Sequence, residues 1–510
     1  MADTRLSRLL NTEFSLKSNI LANFAGNGLA SIVSIIALPL YLPLIGIEAY
    51  GLIGFFAAFQ AILSVLDLGL GITVTRELAI GTGEQGLKGG SRDLVRTSEI
   101  VYWGMAIVIG LVGFAAAPLL VRYVNPQTLS AETLRDCFVL MSVTMALQFP
   151  MLLYSNGLFG LQRQVLVSVA NLIFSIFRNL GVLVVLRYVS ASPQAFFLWQ
   201  VIVTGLQTVV LAFALWKALP DAKHKARFNI SILKNTWHFT AGIWAISIGG
   251  VLVTQVDKVV LARILSLDQF GYYAIATVAS SSLQRLLQPV FQAYFPKLSQ
   301  LAAASENRDL VEVYHQGCQL ISVVLFPVST VLVVFSREIM MLWQRNDVTV
   351  DNTYQIVSLL VIGSVLNGLI FIPYALQLAY GRTRLHLVSL FVAVIVSIPL
   401  TILLGIRLGS IGVASVWILI NLGYFIVYIP IMHRYVLKRE KWEWYFDDVL
   451  KPAAAAIAAG LVCRFAFVET SSQILIAFQL TGAVVLVSAS TFLASGRIRT
   501  WAMRQVGFST

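Results

Sequence analysis

Apolar runs of about twenty residues, each broken by a short polar or charged stretch, alternate along almost the whole chain. Read between those breaks, they predict helices near residues 20–44, 50–70, 98–121, 136–159, 165–187, 195–216 and 237–263. Seven more follow near 269–295, 312–335, 354–379, 386–406, 411–433, 449–468 and 473–495. A bilayer-spanning helix needs about 20 apolar residues, so the pattern predicts an all-α polytopic membrane protein with about fourteen transmembrane helices. Gly, Pro, Asn and Gln interrupt many of the runs, as expected of helices that line a wet interior.

One corner in this pattern occurs twice. Around Gln255–Ala274 an apolar run ends with Asp257 and Lys258, turns at Asp268–Gly271, and gives way to the next run. Leu44–Gly51 does the same 220 residues earlier: Leu44/Ile264, Ile47/Leu267, Glu48/Asp268, Tyr50/Phe270 and Gly51/Gly271 share that offset. A fixed offset across such a motif predicts two homologous halves. The expected organisation is an N-terminal lobe of six helices over 1–219, a linker over 220–236, and a second six-helix lobe over 237–433. Residues 434–510 then carry two additional helices and a tail.

Composition agrees with the membrane reading. Of 510 residues 58% are hydrophobic and 12% charged, with a mean hydropathy of +0.82, against about 25% charged in soluble domains. The net charge of +12 is read through loop asymmetry and anionic lipid headgroups, with no nucleic-acid partner expected. Lys and Arg number 25 in the loops on the terminal side and 8 on the opposite side. Both termini are therefore expected in the cytoplasm. Trp442, Trp444 and Tyr445, beside Lys438–Lys441, read as an interfacial anchor on that face. Cys137, Cys318 and Cys463 lie in apolar runs and read as small buried hydrophobes without a disulfide. The polar start Met1–Asn19 leads into a full-length run, so no cleavable signal peptide is expected.

Catalytic chemistry is not legible. The five histidines, His224, His238, His315, His386 and His433, fall in loops or at helix ends on the cytoplasmic side, where headgroup contacts are expected. No His-x-x-x-His or Cys-x-x-Cys pair occurs, so neither a metal cluster nor a cofactor is predicted. Gly81-Thr-Gly-Glu-Gln-Gly86 spells a dinucleotide fingerprint, but it follows a membrane helix and reads as a loop. No outer loop exceeds about twenty residues, which disfavours a membrane-embedded glycan-processing enzyme.

Polar residues recurring at helical spacing are the candidate functional groups. Asn23, Asn27, Ser31 and Ser34 share one face of the first helix; Gln60, Ser64, Asp67 and Gly71 share one of the second. The fifth carries Asn171, Ser175 and Arg178; the seventh Ser247, Thr254 and Asp257, with Lys258 alongside; the eighth Arg285, Gln288 and Gln292, with Gln284 flanking. Amide stripes serve interhelical hydrogen bonding as readily as a cavity lining. A central arginine costs ~2.5–3.5 kcal/mol even on the lenient insertion scale. Arg178 and Arg285 therefore require an acidic partner, such as Asp67 or Asp257, a carbonyl, or a hydrated cavity that binds an anion. Arg464 lies outside the duplicated part and reads as structural.

The Gln255–Ala274 stretch resembles the seventh-to-eighth helix signature of bacterial polysaccharide transporters, the O-antigen flippase family. Ile45–Gly51, Asp67-Leu-Gly-Leu-Gly71 and Arg76-Glu-Leu-Ala79 resemble its first-to-second helix signature. That family belongs to the multidrug/oligosaccharidyl-lipid/polysaccharide exporter superfamily. The resemblance implies two six-helix lobes related by a pseudo-twofold axis around a central cavity, plus two C-terminal helices. It implies a non-enzymatic flippase of the bacterial inner membrane that moves an undecaprenyl-diphosphate-linked oligosaccharide to the outer leaflet for O-antigen, capsule or exopolysaccharide synthesis. Its implied partners are that lipid-linked oligosaccharide, membrane lipids, a polysaccharide polymerase, a chain-length regulator and a proton or sodium gradient. Arg285 and Arg178 would serve the diphosphate, and Asn23, Asn27, Gln60, Asp67, Asn171, Asp257, Lys258, Gln288 and Gln292 the cavity wall. Multidrug and lipid II exporters of the same fold are the alternatives. The lipid II branch usually carries an arginine in its first helix, where this chain has Asn23 and Asn27; the multidrug branch often carries an acid there, and none occurs between Glu13 and Glu48. The basic loop of a major-facilitator carrier is absent from Thr75–Thr97.

Overall fold

A bilayer core offers no water to backbone N–H and C=O groups, so apolar runs of this length close their hydrogen bonds within helices. The regular secondary structure of the computed structural model is accordingly all helical among the described residues. These are 33–63, 70–81, 90–219, 226–230, 257–304 and 307–505, with Leu29, Asp67, Val251 and Gln255 as isolated positions. Eight helices among them are long and apolar enough to cross a membrane. The chain divides into two compact units, Met1–Ile248 and Gly249–Thr510.

In the first unit the helices are α1 (Val33–Ile45), α2 (Ile47–Leu63), α3 (Leu70–Gly81), α4 (Gly90–Tyr123), α5 (Ala131–Gly160), α6 (Gln164–Tyr188) and α7 (Pro193–Ala218). Ser130 and Ser192 cap α5 and α7 by accepting from the backbone N–H three residues on. α5 packs between α4 and α7. Leu78, Tyr102, Leu153, Leu158, Leu211 and Leu215 are fully buried in the core they enclose. Outward positions such as Ile107, Leu111, Val112 and Phe114 of α4 are exposed and apolar, the pattern of a surface solvated by lipid.

The second unit continues from helical residues 257–264 into α8 (Leu267–Ala304), α9 (Asn307–Val334), α10 (Ser336–Gln344), α11 (Asp347–Leu369) and α12 (Phe371–Ala379). α13 (Thr383–Gly423) has two legs, because the backbone leaves the helix at Gly409 (φ 61°, ψ −142°). Eight residues of straight helix span about 12 Å, yet a Cβ on Gly412 would stand 2.1 Å from the Leu404 carbonyl oxygen. The legs thus fold back on each other and bury Ala393, Val416 and Ile420 between them. The second leg runs through a π-helical turn, Tyr424–Tyr428, to Tyr435. Another such turn, Trp444–Leu450, leads into α14 (Lys451–Phe465). α14 pairs with α15 (Gln473–Ala494), both pack on α9, and α16 (Gly496–Gln505) follows.

Several expectations are corrected. The loop predicted over 296–311 is largely helix: α8 runs through Pro289 and Pro296 to Ala304. Proline inside a membrane helix is tolerated because neighbouring helices and local adjustments re-satisfy the freed backbone groups. Trp444 is no interfacial anchor; it is fully buried beside Phe425 and His433, whereas Trp442 is exposed. His315 and His433 do not meet headgroups but are buried between helices. Cys463 is only half-buried, whereas Cys137 and Cys318 are buried as expected. The duplicated corner is a helix restart both times: Glu48 lies in the first turn of α2 and Asp268 in that of α8.

Candidate functional site

α8 carries the three predicted polar positions on one face. Arg285, Gln288 and Gln292 are all exposed, while Leu283 and Leu287 point into the core. The spacing of three and four residues sets that separation. Arg285 has no hydrogen bond or ion pair among the described residues. The predicted alternative, a buried pair with Asp257, is not formed. Asp257 Oδ2 instead accepts from Tyr273 Oη at 2.7 Å, and Lys258 Nζ stands 3.5 Å from Oδ1. That second contact is an ion-pair distance without hydrogen-bond geometry, since Oδ1 has no hydrogen-bond partner.

Behind the arginine face a chain of amides crosses three helices. Gln284 Nε2 donates to Asn367 Oδ1 at 3.1 Å, Asn367 Nδ2 to Asn421 Oδ1 at 2.8 Å, and Asn421 Nδ2 to the Trp417 carbonyl at 2.7 Å. In hydrocarbon surroundings such bonds fix the register of α8, α11 and the second leg of α13. Sequence inspection missed Asn367 and Asn421 because each is a single amide in an apolar run with no stripe around it.

The first unit holds a second cationic position. Arg178 Nη2 donates to Gln207 Oε1 at 3.0 Å and lies 3.4 Å from Thr204 Oγ1. Gln207 Nε2 in turn donates to Asn171 Oδ1 at 3.0 Å, so the predicted Asn171 and Arg178 meet through a residue of α7. Arg178 Nε is buried without a partner, and no carboxylate reaches the guanidinium among the described residues. Asp67 is not its counter-ion; it accepts from Tyr102 Oη and from the Gly71 N–H at 3.2 Å. Gln60 Nε2 donates to Gln148 Oε1 at 2.7 Å, an interhelical bond between α2 and α5. Asn23 and Asn27 lie outside the described residues, as does most of the glycine-rich stretch after Gly81.

A further polar cluster was invisible to spacing rules. His315 Nδ1 lies 2.5 Å from Asp448 Oδ2, and Nε2 lies 3.2 Å from Glu440 Oε2. Arg497 bridges Glu312 and Glu443. His315, Glu440 and Glu443 bring potential ligand atoms within 4.8 Å of one another, which corrects the expectation that no such group exists. These atoms already partner one another and Arg497, so the cluster ties the segment 440–448, which leads into α14, and α16 to α9. Arg464 is structural as expected, paired with Glu338 Oε1 at 2.5 Å.

Comparison with known proteins places this architecture. Residues 16–302 match the family model described as polysaccharide biosynthesis protein. A Shigella flexneri protein named as a candidate O-antigen transporter is 19% identical over 409 residues, covering 79% of this chain and 94% of its own length. Among solved structures, the lipid II flippase MurJ in an inward closed conformation is 12% identical, with a TM-score of 0.66 over 96% of this chain and 99% of its own. An inward-facing multidrug resistance MATE family transporter of the MOP superfamily is 14% identical, with a TM-score of 0.64 over 79% of this chain and 96% of its own. At such identities these two likenesses establish the fold alone, the all-α multi-pass membrane fold of those two proteins. The family model spans more than half of the sequence, and the chain belongs to the polysaccharide biosynthesis protein family.

Proposed function

We propose that this chain is a flippase that moves an undecaprenyl-diphosphate-linked oligosaccharide from the cytoplasmic to the outer leaflet of the bacterial inner membrane. The observation that carries the reading is the exposed, unpaired Arg285 beside Gln288 and Gln292 on α8, inside the segment matched by the family model. A guanidinium without a carboxylate is suited to phosphate oxygens, and the flanking amides to a hydrated glycan. Arg178, held by Gln207 and Thr204, supplies a second such position. Alternating access of the two lobes would pass the headgroup across while the isoprenoid tail stays in the bilayer. Both termini would be cytoplasmic, following the excess of Lys and Arg on that side. A polymerase and a chain-length regulator would receive the product, and a proton or sodium gradient would drive the cycle.

The test is a deletion strain. Loss of the protein is expected to abolish or shorten a surface polysaccharide and to leave lipid-linked repeat units facing the cytoplasm. An intact glycan with altered drug sensitivity would replace this reading by that of a multidrug exporter. Lipid II remaining on the cytoplasmic side would replace it by that of a peptidoglycan-precursor flippase.

A further inference from the structure

We propose that an aromatic cavity in the second unit is a stacking subsite for the sugar ring joined to the diphosphate; this rests on the flippase reading above. The cavity, of about 360 Å³, opens between α8, α11, α12 and both legs of α13. Small-molecule sites run from about 300 to 1,000 Å³, so it has room for a single ring and not for an oligosaccharide.

Its walls are aromatic faces held in fixed poses. Phe291 and Tyr374 stack at 6.1 Å between centroids, Tyr374 and His386 stand at 4.3 Å, and Tyr424 and Tyr428 at 6.0 Å. Trp417 is pinned from behind, with Nε1 donating to Ser364 Oγ at 3.3 Å. A Cβ on Gly363 would stand 2.3 Å from its ring. Tyr428 donates its hydroxyl to Gln377 Oε1. The rings are therefore fixed by the protein's own contacts before any ligand arrives.

Three lining groups keep hydrogen-bonding capacity unused. The Gln288 amide, the ring nitrogens of His386 and the Tyr374 hydroxyl have no partner among the described residues. Aromatic faces bordered by free donors and acceptors match a pyranose, which presents apolar C–H faces and a polar hydroxyl rim. An isoprenoid tail would desolvate those polar groups without compensation. An organic cation would meet aromatic faces but no carboxylate, and would leave the free donors and acceptors unused, so it stands as a rival in the test.

Position makes the assignment specific. Gln288 belongs both to the cavity wall and to the exposed face of Arg285, three residues or about 4.5 Å along the helix axis. A diphosphate on Arg285 would therefore place its attached sugar at the cavity mouth.

The experiment measures surface glycan per folded protein in a deletion strain complemented with the full chain. Failure of the wild type to restore export removes the flippase reading and the subsite with it. Once the wild type restores export, Gln288→Ala and Tyr374→Leu are each expected to lower it by about tenfold or more at unchanged protein level. Tyr374→Phe, which keeps the ring face, is expected to retain most of it. Gln288 is exposed and unbonded, so its truncation leaves no buried group unpaired and tests the subsite even where Tyr374→Leu folds poorly. Binding is read by saturation-transfer NMR on the full chain in nanodiscs. The probes are methyl glycosides of glucose, galactose and N-acetylglucosamine, with farnesyl phosphate and tetraphenylphosphonium as rivals. Saccharide ring-proton signals weakened by Tyr374→Leu support the subsite. Wild-type export from both variants overturns it and leaves the flippase reading intact. So do saccharide signals that are absent or indifferent to Tyr374→Leu, or a rival probe that depends on Tyr374 instead.

Discussion

Tyr273 donates its hydroxyl to Asp257 Oδ2 at 2.7 Å, across the corner between helical residues 257–264 and α8. Tyr273 is fully buried, so its hydroxyl has no water to fall back on. Asp257 is thereby a structural acceptor in the helical stretch that precedes α8, and it is not the counter-ion of Arg285. Tyr273→Phe is expected to lower stability by about 1–3 kcal/mol, because the carboxylate loses a hydrogen bond while remaining partly desolvated. Asp257→Asn, which keeps an acceptor for the hydroxyl, is expected to melt within a few degrees of the wild type. Thermal melting of detergent-solubilised protein followed by size exclusion checks both. A melting point lowered more by Asp257→Asn than by Tyr273→Phe would make the negative charge itself the important feature.

Glu48, the counterpart of Asp268 in the duplicated corner, organises the turn that follows α4. Its carboxylate is buried and accepts from the backbone N–H groups of Thr128, at 2.9 Å, and Leu129, at 3.0 Å, as well as from Gln127 N–H and Thr128 Oγ1. One side chain thus holds the turn between α4 and α5. Glu48→Ala is expected to cost about 3 kcal/mol, since charge-assisted bonds are lost and N–H groups are left unsatisfied. The same thermal assay, together with proteolysis at residues 124–130, reads the outcome. Protection of that turn unchanged in Glu48→Ala would show that α4 and α5 hold it without the carboxylate.

Gly363 lies where α11 passes Trp417. A Cβ there would stand 2.3 Å from Trp417 Cδ1 and 3.0 Å from Cγ, so the indole must move or the helices must part. Gly363→Ala is expected to destabilise by about 1–3 kcal/mol through overpacking. It should also weaken the Trp417 bond to Ser364. Ser364→Ala removes that bond without adding volume and is expected to have the smaller effect. An equal loss in the two variants would assign the damage to the hydrogen bond rather than to the steric contact.

The expected orientation has a direct measurement. In a Cys-free background, single cysteines replacing Gly83, Ala222 or Ser509 should be shielded from an impermeant thiol reagent in intact cells. Cysteines replacing Gln127, Ser192 or Asp347 should label. Gln127 lies in the turn between α4 and α5, Ser192 in that between α6 and α7, and Asp347 is the first residue of α11. Labelling at position 222 in intact cells would invert the orientation.

Helices were legible because an apolar run of fixed length has one way to satisfy its backbone, and α5, α6 and α7 begin and end within a few residues of the sequence boundaries. The reversal at Gly409 was legible for the same reason, from the break between the runs at 386–406 and 411–433. The end of α8 was not, because charged and proline residues after position 295 look like a loop while the helix continues to Ala304. Partners were the least legible. Arg178 and Asn171 could be placed on one face, but Gln207, which joins them, comes from another helix. His315 finds Glu440 and Asp448 125 and 133 residues away, a separation at which no spacing rule operates. The aromatic cavity was hidden likewise, since its rings come from α8, α12 and both legs of α13 and each alone reads as core packing.

Arg285 offers the sharpest separation of a binding role from a structural one. It is exposed, has no partner among the described residues, and lies one helical turn from Gln288. Removing it therefore leaves no carboxylate unpaired, and Arg285→Ala is expected to reach the membrane at the wild-type level. A guanidinium can hold phosphate oxygens through two parallel N–H bonds, whereas an ammonium acts as a point charge. Arg285→Lys should accordingly keep partial glycan export, and Arg285→Ala should lose about tenfold or more, equivalent to at least ~1.4 kcal/mol. The second unit supplies the control. If a hidden ion pair with Asp257 were responsible, adding Asp257→Asn to Arg285→Ala would restore both folded protein and export. The hydrogen bond from Tyr273 to Asp257 argues for the opposite result, with the double variant no better than the single. Export per folded protein, measured for Arg285→Ala, Arg285→Lys and the double variant, decides between the two; rescue by Asp257→Asn would remove Arg285 from the anion site.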